Sequence, residues 1–84
     1  MIEIEQNPYG NNTAVIRDGY TAAYFSYGTI IALIMDNQSY KTTTKFSKTT
    51  SKHLNAIPLY EPIPVPQAEL EAMWNRAVIT FNPQ

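Results

Sequence analysis

Cysteine is absent from all 84 residues, which excludes disulfide stapling and thiolate metal sites. Histidine is almost absent, and His53 alone cannot supply an imidazole-rich zinc site. The three glycines, at 10, 19 and 28, stand singly, so no glycine-rich loop exists to cradle a phosphate. The longest apolar run, Ile30-Ile31-Ala32-Leu33-Ile34-Met35, falls far short of the roughly 20 residues a membrane span needs. Charged residues make up only 15% of the chain and the net charge is −1, which argues against binding of a polyanion by the surface as a whole. A chain of this length forms one small domain that buries roughly 60% of its unfolded surface. Its stability must then come from packing, a partner or self-association. The opening Met1-Ile2-Glu3-Ile4-Glu5 carries acids where a secretion signal carries bases, and no apolar stretch follows it. The expectation is a cytoplasmic protein outside the membrane.

What is present points to an α+β fold. An antiparallel meander of three to four strands is expected at 13–17, 20–26, 29–36 and 39–46, with Ile2 to Glu5 as a further short edge strand. Asp18-Gly19 suits the two-residue type I′ turn, whose central residues need positive φ. Gly28 can take a left-handed conformation in the break that follows Phe25. Ile30 to Met35 is apolar on both faces, as in a strand covered on both sides. Tyr40, Thr42, Thr44 and Phe46 alternate with Lys41, Thr43 and Lys45. Ser39 to Ser51 holds eight Ser or Thr in thirteen residues, and threonine suits a half-exposed strand face.

The second half reads as helical with a break. Ser47 or Thr49 can cap a short helix over 49–57, which Pro58 ends. Residues 58–66 hold four of the six prolines and read as an extended, semi-rigid connector. A helix near 67–81 follows, with Pro66 suited to its first turn. Leu70, Met73, Trp74, Ala77, Val78 and Phe81 fall on one stripe that should pack on one face of the sheet. Asn82-Pro83 should stop it. Ile31, Leu33, Met73 and Trp74 are expected inside. One helix covers only one face of Ile30 to Met35, so either the short helix or a second copy in a homodimer must cover the other.

Catalytic chemistry finds little material. A serine triad needs a base oriented by a carboxylate, and Asp36 and Glu61, the acids nearest His53 in sequence, are not placed for that. His53 reads as an exposed residue beside Lys52. Glu69 and Glu71 point roughly 200° apart on a helix and favour its positive end rather than a paired-carboxylate site. No catalytic, cofactor-binding or metal-binding residue is expected, and the chain reads as a non-enzyme.

Charge placement is more informative. Lys41, Lys45, Lys48 and Lys52 fall together, with His53, in a segment without acids. Residues 1–36 carry four acids and one arginine, and residues 56–84 three acids and one arginine. The lysines, with Tyr40 beside them, suit phosphates or an acidic protein face. They also suit protection of an edge strand against aggregation. No arginine lies in the segment, which weakens direct reading of bases. The six tyrosines are a second candidate surface, since tyrosine is enriched at interfaces, although Tyr24 and Tyr40 could pair across strands. The expected partner-binding residues are Lys41, Lys45, Lys48, Lys52, His53, Tyr40 and Tyr27.

Three segments carry a resemblance: Asn7-Pro8-Tyr9-Gly10-Asn11-Asn12, Ser26-Tyr27-Gly28-Thr29-Ile30-Ile31-Ala32, and Phe46-Ser47-Lys48-Thr49-Thr50-Ser51-Lys52-His53-Leu54. In these the chain resembles a family of short, uncharacterised phage and prophage proteins, over residues 7–57. No activity or residue role comes with that family, and residues 58–84 lie outside the pattern. The resemblance implies a phage accessory protein. Combined with small size, little active-site chemistry and surplus tyrosine, it suggests a protein that binds a host protein or nucleoprotein complex and inhibits host defence, in the manner of anti-CRISPR or anti-restriction proteins. The alternative is a small nucleic-acid-binding module that uses the Lys41–His53 segment.

Overall fold

A computed structural model describes residues 2–81, with side chains described through residue 77. Six strands form one sheet in the order β1-β2-β3-β4-β5-β6: β1 Ile2–Gln6, β2 Thr13–Asp18, β3 Thr21–Ser26, β4 Thr29–Met35, β5 Gln38–Thr42 and β6 Ile63–Val65. The first five run as an antiparallel meander, and β6 adds to β5 in parallel. Two helices, α1 Lys48–Ala56 and α2 Gln67–Phe81, complete an α+β fold.

Tight turns set the meander. Asp18 pairs with Thr21, so the first loop is Gly19-Tyr20 rather than Asp18-Gly19. Only Gly19 of that pair has positive φ, at 61°, which is the type II′ pattern with glycine in first place. The type I′ pattern appears in the next two turns instead. Tyr27-Gly28 has φ of 51° and 76°, and Asp36-Asn37 has φ of 54° and 62°.

A bulge in β4 sets which face each of its apolar residues takes. Tyr24 pairs with Ala32 and Phe25 with Ile30, which leaves Ile31 as the extra residue. Ile30 and Leu33 then pack with Leu70, Met73 and Val65, beneath α2. Ile31 and Ala32 pack on the other side with Val15, Tyr24 and Ile57, at the end of α1. Full burial of side chains such as Ile31, Leu33 and Leu70 stabilises the fold by roughly 1.5–3 kcal/mol each. Both faces of β4 are therefore covered within one chain, and this strand gives no reason for a second copy.

Several expectations need correction. β5 stops at Thr42, well before Phe46, and just past its end the Thr42 hydroxyl accepts from the Thr44 amide at 3.1 Å, a side-chain bond that competes with the ladder. The proline-rich connector is not merely a spacer. Its residues 63–65 form β6, where an edge position tolerates Pro64. Tyr24 and Tyr40 do not pair: Tyr24 faces Ala32 and Tyr40 faces Leu33, on opposite faces of the sheet. Trp74 is half-buried rather than interior, with its ring edge-on to Phe25 at 5.6 Å. The side chains of Val78 and Phe81, and the stop at Asn82-Pro83, lie outside the described residues.

Candidate functional site

The end of β5 places the lysines. Beyond Thr42 the chain leaves the sheet, with the Thr43 amide donating to the Val65 carbonyl at 2.9 Å, and Lys45 and Phe46 enter a loop. Ser47 then caps α1, its hydroxyl accepting from the Thr50 amide at 3.1 Å. Lys48 and Lys52 follow at i and i+4, so they share one side of the helix. Lys41 faces Ala32 across the ladder, on the side of the sheet that carries α1.

These positions form one surface. Lys45, Lys48 and Lys52 border a shallow depression of about 490 Å³ together with Phe46 and Ser51. Lys41 and Lys45 border an adjoining one of about 420 Å³, and Lys45, Ser51 and Asn55 belong to both. Among the described residues, no acid lines either depression. None of the four lysines makes an ion pair among the described residues, where Arg17 and Glu5 form one at 2.8 Å. The first turn of α1 also lacks an acid, so the positive end of its dipole adds to the lysines. The edge-protection reading does not hold, since β5 is flanked by β4 and β6, and the other three lysines are not on strands.

Two aromatic side chains continue the surface. Phe46 is 47% exposed and Tyr27 58% exposed, and both line a third hollow of about 270 Å³ with Ser47 and Thr50. Phe46 was not anticipated here. The signal available was the helix cap at Ser47, which turns the preceding residues into a connection rather than strand.

His53 and Tyr40 do not belong to this surface. Tyr40 is half-buried on the α2 side of the sheet. His53 is 6% exposed rather than solvated, because it sits on the inner side of α1. Its Nδ1 lies 2.8 Å from the Ser26 hydroxyl, which lies 3.1 Å from that of Thr50. Its hydrogen-bond partner is thus a hydroxyl rather than a carboxylate. Its Nε2 side meets Gly10, where an added Cβ would come within 3.2 Å. The Tyr27 ring lies beside the imidazole, tilted by 32° with ring centres 6.1 Å apart. The described residues hold no group of three or more His, Cys, Asp or Glu that could bind a metal. No helix among them is long and apolar enough to cross a membrane.

A model of a family of unknown function (DUF8033) matches residues 1–71. That span includes β1, the connector with β6, and the first turn of α2, so these belong to the shared unit rather than being peculiar to this chain. Neither the curated proteins nor the solved structures contain a match.

Proposed function

The chain belongs to that family, whose function is not known, and we propose that it acts by binding, presenting the lysine surface to an acidic face of a partner protein. The observation that carries this reading is the convergence of Lys41, Lys45, Lys48 and Lys52, from strand, loop and helix, around two joined depressions without an acid. Four lysines on one side, without an ion pair among the described residues, favour complementary association and raise its rate. Phe46 gives the surface an apolar anchor of the kind that carries binding energy at interfaces. The phage-like resemblance extends the proposal to a component of a host defence complex, which the protein would block by occupying it. Capture from host lysate, with mass spectrometry of what is retained, tests this. The native chain should retain a partner that a Lys45→Glu/Lys48→Glu variant loses while it stays folded.

A second reading rests on Phe46 and Tyr27. Exposed aromatic rings beside lysines also suit single-stranded nucleic acid, whose bases stack on aromatic faces while its phosphates meet the charges. Fluorescence anisotropy with a single-stranded oligonucleotide separates the two readings.

A further inference from the structure

The two edges of the sheet are built differently. β6 is three residues long with Pro64 at its centre and Pro62 and Pro66 on either side, which closes that edge to another strand. β1 has five residues, no proline, and every residue exposed, and among the described residues it pairs only with β2. Its side chains alternate. Ile2 and Ile4, 43% and 62% exposed, share a face, and Ile4 lies opposite Ile16. Ile4 and Ile16 border a hollow of about 500 Å³ that Ala14 and Phe25 continue. Glu3 and Glu5 share the other face beside Arg17, and Glu5 binds it at 2.8 Å.

We infer that β1 is a docking edge for an extended segment of a partner protein whose side chains alternate apolar residues with Lys or Arg. Backbone pairing along the open edge supplies affinity, and the two faces supply selectivity. The apolar side chains of such a segment extend the cover of Ile2 and Ile4. Its basic side chains meet Glu3 and Glu5, of which Glu3 has no ion pair among the described residues.

A second copy does not fit this edge. Pairing β1 with β1 so that isoleucines share a face sets glutamate against glutamate, whether the strands run antiparallel or parallel, and like charges directly opposite destabilise a ladder. The lysines of a second copy lie on an interior strand, a loop and a helix, so they cannot be offered as an added strand. This edge also lies at the opposite end of the sheet from Lys41, so the inference stands apart from the lysine surface.

The experiment titrates the full-length ¹⁵N-labelled chain with a short capped peptide that alternates valine and lysine. Controls are a valine–glutamate version and a valine–lysine version with a central proline. The lysine peptide should shift the amide signals of residues 2–6, slow their hydrogen exchange, and bind about tenfold more tightly than the glutamate peptide. The proline version should bind more weakly, because it removes a donor from the new ladder. In parallel, a Glu3→Gln/Glu5→Gln variant should self-associate by light scattering at concentrations where the native chain stays monomeric. Equal binding of both peptides, shifts confined to other elements, or self-association of the native chain through β1 would overturn the inference.

Discussion

The Ser26 hydroxyl lies 2.8 Å from Nδ1 of His53, and this hydrogen bond ties the end of β3 to the middle of α1. Thr50, one turn earlier on the helix, joins the same hydroxyl at 3.1 Å. Gly10, from the loop after β1, packs against the far side of the imidazole. Two stretches of chain distant from the helix thus fix how α1 sits on the sheet. The solvent side of that helix carries Lys48 and Lys52, so the buried polar cluster also sets where the lysine surface points.

Removing the Ser26 hydroxyl should therefore cost stability as well as a contact. Ser26→Ala leaves a buried imidazole nitrogen without its partner, which costs roughly 1–3 kcal/mol. A urea unfolding midpoint lowered accordingly is the expected result. His53→Leu combined with Ser26→Ala should recover part of the loss, because neither polar group then remains to be satisfied.

Gly10 should tolerate a side chain less well than Gly28. Gly10 has φ of 120° and faces Nε2 of His53, whereas Gly28, at 76°, has open space around the position of a Cβ. Gly28→Ala should cost about 1 kcal/mol, from the left-handed backbone alone. Gly10→Ala should cost about 2 kcal/mol or more, since the imidazole must also move. Thermal unfolding of the two variants side by side checks the order.

Local chemistry made much of this fold legible. The strand cores, the cap region of α1 and the stripe of α2 followed from alternation, a hydroxyl before a helix, and 3.6-residue spacing. The elements that sequence reading missed depend on distant contacts. β6 exists because β5 offers it a ladder, which proline content alone argues against. The inward turn of His53 depends on Ser26, which is 27 residues away. The bulge at Ile31 sets which face each apolar residue of β4 takes, and periodicity carries no mark of it. Of the candidate site, the four lysines were legible as a run without acids. Phe46 was hidden by an alternation that continued past the real end of β5.

Stability should fall in alkali because of Tyr24. Burial first, and the neighbouring Tyr9 second, push the Tyr24 phenol above its ordinary value, with the two rings 6.0 Å apart. The folded state then holds a proton that the unfolded state releases. This contribution is intact below about pH 10 and is lost as the pH rises from there towards the folded value. Denaturant midpoints measured from neutral to strongly alkaline pH should show that decline. Tyr24→Phe should flatten it.

Salt dependence decides what the lysine surface binds. Each phosphate neutralised on duplex DNA releases counterions, so four lysine contacts would give a slope of log affinity against log salt of about −3.6. Replacing one of Lys41, Lys45, Lys48 or Lys52 with alanine would then flatten that slope by about one unit and weaken all sequences alike. The surface that contains these lysines lacks an arginine, and the rest of the chain carries seven acids against two arginines, a balance that repels a long polyanion. The expected result is weak binding of naked DNA near physiological salt. With the acidic partner, the same alanine variants should slow association while dissociation changes little, because exposed charges act mainly on encounter. Unfolding free energies should stay within about 0.5 kcal/mol of the native chain, since these side chains are not part of the core. Tight DNA binding at physiological salt, abolished by these substitutions, would assign the surface to nucleic acid instead.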